Sequence, residues 1–124
     1  MKSKYLRDID CEQTFSREEW DKEKFEEERK KYGIASYETW NLDITFFEFL
    51  YISFKMYDEF NCIDTYYHEF IIDDEKWDMQ KAINYIIEIS KEYLIKRKEC
   101  FIQDVDIPEK FYTVLRTVIP YMWW

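Results

Sequence analysis

At 124 residues and 15.7 kDa the chain has room for one domain, and its 47% hydrophobic and 21% aromatic content is too high for a disordered chain. One Gly and two Pro exclude collagen-like and low-complexity designs and argue against a turn-rich β-sandwich. The net charge of −9 excludes a generic electrostatic binder of nucleic acid or anionic membrane.

Residues 1–15 are mixed charged and polar and read as a loosely ordered arm; residues 16–124 read as a single helical domain. Ser16 followed by Glu19 has capping-box spacing and would open a first helix over about 17–32. Gly33, at the C′ position, would close it. Ser36 is a candidate N-cap for a second helix over 37–60. In it Trp40, Ile44, Phe47, Leu50, Tyr51, Phe54 and Tyr57 share one sector of the helical wheel. Phe46, Phe49, Ile52 and Met56 populate the far side, leaving a narrow polar strip near Glu48 and Lys55. Such a helix is either the buried centre of its domain or part of an oligomer contact.

Residues 61–67 read as a connection and 68–72 as a short strand. Asp73, Asp74 and Glu75 suit the first turn of a third helix over about 75–98, where carboxylates meet the positive end of the helix dipole. Its apolar face is Met79, Ala82, Ile83, Ile86, Ile87, Ser90, Tyr93 and Leu94, the clearest amphipathic pattern in the chain. Residues 101–105 are a candidate strand to pair with 68–72. Pro108 then sits near the first position of a fourth helix carrying Phe111, Val114, Leu115 and Val118, and Pro120 stops or kinks it. The tail 121–124, Tyr-Met-Trp-Trp, either folds back on the core or forms an interaction patch. The expected fold is mainly α, about four helices with room for one two-stranded element.

The three cysteines, Cys11, Cys62 and Cys100, are odd in number, widely spaced and without a Cys-x-x-Cys, which favours reduced thiols over a disulfide framework or zinc site. The first residues lack the apolar segment of a signal peptide, and no apolar run is long enough to span a bilayer. A cytosolic protein is expected.

The chemistry-bearing inventory is sparse. His68 is the only histidine, and one glycine cannot build a phosphate-cradling loop. The acidic groups Asp73-Asp74-Glu75 and Asp104-x-Asp106 offer oxygen ligands for Mg²⁺ but are more simply helix-start acids, so no cofactor, metal or catalytic group is assigned. Asp43 breaks the pattern by lying in the apolar sector of the second helix. A carboxylate there must be paired or hydrogen-bonded, for which a Tyr hydroxyl, an indole N–H or a helix N-terminus would serve.

Trp40-Asn-Leu42-Asp43-Ile-Thr45, followed by Phe49-Leu50 and Lys55-Met-Tyr57, resembles uncharacterised small proteins of bacteriophages and prophages. These share a Trp-x-(Leu/Phe)-Asp-x-Thr helix start; many carry Pro-Arg where this chain has Ile52-Ser53. The resemblance implies a mobile-element protein acting in the cytoplasm of a bacterial host, with no activity attached.

The charge is uneven. Residues 1–32 net −1 and residues 79–124 net +1, whereas 33–78 hold two Lys/Arg against eleven Asp/Glu and half of the 26 aromatics. Two functions follow. The first is an acidic interaction protein that inhibits a host defence or nucleic-acid-binding machine, anti-CRISPR-like in manner, by occupying a basic channel. Its expected surface is Asp58, Glu59, Asp64, Glu69, Asp73, Asp74, Glu75 and Asp78, anchored by Tyr66, Tyr67 and Trp77. The second is a non-enzymatic adaptor of phage replication or assembly, oligomeric through helix 37–60 or the tail 121–124. A carboxylate-dependent enzyme is the third and weakest reading.

Overall fold

The structure is a computed structural model that describes residues 4–7, 9, 21–61, 68–99 and 105–122. Among these, four α-helices and one antiparallel hairpin occur in the order α1 (Lys22–Tyr32), α2 (Leu42–Phe60), β1 (Glu69–Ile72), β2 (Glu75–Asp78), α3 (Met79–Glu99) and α4 (Glu109–Val118). Short 3-10 turns at Lys4–Leu6, Ser36–Thr39 and Ile119–Tyr121 complete it. The mainly helical reading with one two-stranded element holds.

Helix α1 is capped by Asp21, whose carboxylate accepts the Lys24 backbone N–H at 3.3 Å. The expected Ser16 cap lies outside the described residues. Gly33 ends α1 in the left-handed conformation (φ 83°), its N–H returning to the Arg29 carbonyl. That φ is open to glycine at no steric cost. The apolar side of α1 is thin, and only Phe25 is buried; it packs with Ala35 and Tyr37 in a small satellite core.

The expected helix 37–60 is broken near its start. Residues Ser36–Thr39 form a 3-10 turn and α2 begins at Leu42. Glu38 explains the break: its side chain accepts the Ala35 N–H at 2.8 Å and binds Arg29 at 3.2 Å, fixing a separate turn. Tyr37 is buried in the satellite core, which turns Trp40 away from the α2 core sector. Trp40 is 48% exposed and meets Phe25 edge-on.

One face of α2 (Ile44, Phe47, Leu50, Tyr51, Phe54) packs most extensively on α3, which in turn packs on α4. Helix α3 buries Met79, Ala82, Ile83, Ile86, Ser90, Tyr93 and Leu94, the face its periodicity predicts, with Ile87 half-buried. Ser90 is satisfied in the core by donating to the Ile86 carbonyl at 2.7 Å. Phe111, Val114 and Val118 of α4 are fully buried. Tyr93 stacks on Phe47 at 4.0 Å, joining α3 and α2, and Phe111 of α4 packs against Phe47 at 5.7 Å. The polar strip expected near Glu48 is a misreading, because Glu48 is buried at the α2 shoulder.

The loose N-terminal arm is packed where it is described. Leu6 and Ile9 are in the main core, and the turn Lys4–Leu6 rests on α2. The expected partner for strand 68–72 is also corrected. Residues 101–104 lie outside the described residues and Val105 belongs to no strand; β1 pairs instead with β2. Glu75–Asp78, expected in the third helix, is the returning strand, and α3 starts at Met79. Pro108 precedes α4 as its N-cap, and Pro120 lies in a 3-10 turn that ends the helix. Tyr121 is exposed and Met122 half-buried; Trp123 and Trp124 lie outside the described residues.

Candidate functional site

The acidic hairpin is built around its turn. The register Phe70↔Trp77, Ile71↔Lys76, Ile72↔Glu75 leaves two residues, Asp73 and Asp74, to reverse the chain. Both take positive φ, 51° and 62°, as a two-residue hairpin turn matching the strand twist requires. Aspartate tolerates this region better than most residues, so the pair serves as a turn, and the helix-start role expected of it falls to Asp78. The Asp78 carboxylate accepts the Lys81 N–H at 2.7 Å at the start of α3. The alternation of the strands puts Phe70, Ile72 and Trp77 in the core and leaves Glu69, Ile71, Glu75 and Lys76 outside.

Trp77, expected as a partner anchor, is 3% exposed. It lies edge-on to Tyr85 at 5.4 Å and carries the Lys81 and Lys110 ammonium groups over its ring at 4.4 and 5.0 Å. It is a core residue whose face gathers cations. Asp64, Tyr66 and Tyr67 lie outside the described residues.

The remaining acids divide into three groups. At the end of α2, Asp58 accepts from the Gln80 amide at 2.9 Å, placing that end beside the start of α3. Glu59 accepts the Tyr5 hydroxyl and lies 3.6 Å from Lys4; the Tyr5 hydrogen bond chiefly holds its carboxyl below the usual range. On the hairpin rungs, Glu69 pairs with Lys76 at 3.4 Å, and Glu75 with Lys81 at 2.8 Å and Lys110 at 3.9 Å. The Lys81 hydrogen bond lowers the Glu75 pKa. At the tip, Asp73 and Asp74 are exposed and make no ion pair among the described residues. Sequence arithmetic treated all of these acids as one field; the side chains place lysines from β2, α3 and α4 among them.

The Trp-x-Leu-Asp-x-Thr motif (Trp40, Leu42, Asp43, Thr45) forms a splice. Thr45 donates to the Glu38 carbonyl at 2.6 Å, tying α2 to the preceding turn. Asp43 accepts the Tyr93 hydroxyl at 2.5 Å and Arg97 Nε at 3.0 Å, tying the start of α2 to α3. Burial pushes the Asp43 carboxyl up, but Tyr93 and Arg97 outweigh it and hold the pKa below its ordinary value. Burial first, and Asp43 second, push the Tyr93 hydroxyl up to about 12. Asp43 is a structural acceptor for a Tyr hydroxyl, one of the partners its position on the wheel demanded. Leu42 is 59% exposed and takes no part.

Sequence reasoning offered helix 37–60 as an oligomer contact but did not place Leu42 and Phe60 on its outer face. Leu42, Phe46, Phe49, Met56 and Phe60 are 42–66% exposed. Beside them an open groove of about 560 Å³ is lined by Ile34, Leu42, Phe46, Phe49 and Ile52 together with the polar Glu38, Thr45 and Glu48. The signal was present, since three of these residues were placed on the far side of the wheel.

Among the described residues no group of three or more His, Cys, Asp or Glu is arranged to hold a metal ion, and no helix is long and apolar enough to cross a membrane. His68 lies 4.9 Å from the Tyr121 ring. No family model, curated protein or solved structure matches the chain.

Proposed function

We propose that this is a non-enzymatic interaction protein that binds a basic surface of another protein through the tip of its acidic hairpin. The observation that carries the reading is the turn Asp73-Asp74. Two adjacent carboxylates, exposed and without an ion pair among the described residues, are fixed by left-handed backbone on a hairpin anchored in the core by Phe70, Ile72 and Trp77. Rigid presentation lowers the ordering cost of a contact, and carboxylates speed encounter with a basic groove. In the phage setting that the Trp40–Thr45 motif suggests, the partner would be a host defence or nucleic-acid-binding machine, inhibited by occupation of its basic channel.

The test is capture from bacterial lysate with the immobilised protein and with Asp73→Lys/Asp74→Lys. The reading expects a nucleic-acid-binding protein that is captured by the wild type, released by raised salt and lost with the charge reversal. Identical capture by both chains overturns it.

A second reading, an oligomeric adaptor, is favoured by one observation: the outer face of α2 is apolar along its length and open.

A further inference from the structure

We propose that the outer face of α2 is the seam of a two-fold antiparallel dimer, its occupant being a second copy of this chain. The inference rests on the adaptor reading and names its partner.

The spacing carries the first argument. Leu42, Phe46, Phe49, Ser53, Met56 and Phe60 recur at alternating intervals of four and three, the seam pattern of packed helix pairs. At 100° per residue they occupy a narrow stripe opposite the core residues Ile44, Tyr51 and Phe54. The stripe reads the same in both directions about Tyr51. Antiparallel pairing on that centre sets Leu42 against Phe60, Phe46 against Met56, and Phe49 against Ser53. The last match matters most, because a serine is the smallest residue of the stripe and faces one of its bulkiest and most exposed. Parallel pairing would set Phe49 against Phe49 and leave two serines facing across a void.

The area is adequate. The exposed fractions of the five large stripe residues and of Ile34 (40%) correspond to roughly 700 Å², against about 800 Å² per partner in a standard interface. The groove lined by Ile34, Leu42 and Phe46 lies where Phe60 of the second copy would enter.

Sedimentation velocity of the full chain over about 1–100 µM tests the dimer. Expected is a concentration-dependent shift to twice 15.7 kDa. Phe49→Asp should weaken self-association at least about 30-fold with the helical circular dichroism retained. Ser53→Phe should weaken it through the same contact, and Ile71→Asp, on the exposed hairpin face, should leave it unchanged.

Orientation is read from spin labels on Phe60→Cys in a Cys11→Ser, Cys62→Ser, Cys100→Ser background. An antiparallel pair separates them by about 30 Å, a parallel pair by about 10 Å. A monomer at every concentration, a dimer indifferent to Phe49→Asp, or labels in close contact each overturns the proposal. A dimer indifferent to Phe49→Asp overturns this seam while leaving an oligomeric adaptor standing, whereas a monomeric wild type overturns both.

Discussion

The Tyr93 hydroxyl donates to the Asp43 carboxylate at 2.5 Å, across fifty residues of sequence, and Arg97 donates to the same oxygen one helical turn later. Replacing Asp43 with Ala strands both donors at a site where Arg97 is only 11% exposed. A loss of about 2 kcal/mol is expected by urea denaturation, since buried hydrogen bonds to a charge are worth more than neutral ones. Tyr93→Phe should cost about 1 kcal/mol, because the ring and its stack on Phe47 remain.

The pKa directions set the shape of the pH profile. A carboxyl lowered on folding, as at Asp43, stabilises above its unfolded value and loses that stability as pH falls through the folded one. A hydroxyl raised on folding, as at Tyr93, stabilises below its unfolded value and loses it as pH rises toward about 12. The contribution of these groups should be constant between about pH 5.5 and 9 and fall on both sides. Asp43→Asn should flatten the acid limb and Tyr93→Phe the alkaline one. Neither limb should vanish, because Glu28, Glu59 and Glu75 are also lowered and Tyr5 and Tyr85 also raised.

The turn Asp73-Asp74 places two non-glycine residues at positive φ. Asn-Gly is the preferred pair for such a turn, so Asp73→Asn with Asp74→Gly should stabilise by about 1 kcal/mol, raising Tm by about 4 °C. Asp74→Val should destabilise by at least as much, as a β-branched residue does not suit that backbone. Calorimetry separates the two.

Gly33 tests backbone preference without crowding. A Cβ built there meets nothing within 4 Å, and φ is +83°. Gly33→Ala should therefore cost about 1 kcal/mol from strain alone, and Gly33→Asn less.

Core and surface should separate cleanly. Phe111 of α4 is fully buried against Phe47 of α2, so Phe111→Ala should cost about 4 kcal/mol. Ile71, 67% exposed, should change stability by less than about 0.5 kcal/mol on truncation.

The face of α3 and the end of α1 were legible because local rules decide them: a 3.6 period over some twenty residues, and one glycine. Asp43 was legible as an anomaly, since an acid in an apolar sector needs a partner, though the sequence did not single out Tyr93 among the possible donors. The start of α2 was misread because Glu38 and Tyr37 are claimed by Arg29 and the satellite core, contacts that a helical wheel omits. The hairpin was misread for a related reason. Glu75, Lys76 and Asp78 favour neither strand nor helix strongly, and two left-handed aspartates at 73 and 74 decided the matter. The acidic surface was the least legible feature. Lys81 and Lys110 are remote from most of those acids in sequence, yet both lie within 4 Å of Glu75.

Strand β2 ends at Asp78 and helix α3 begins at Met79, with no residue between them. Asp78 pairs with Glu69 across the hairpin and caps the helix at Lys81. The two elements therefore share their last and first fastenings, and neither can fray at that junction without the other. Amide exchange should report this as one opening event: the N–H groups of β1, β2 and the first turn of α3 should show the same opening free energy and lose protection together.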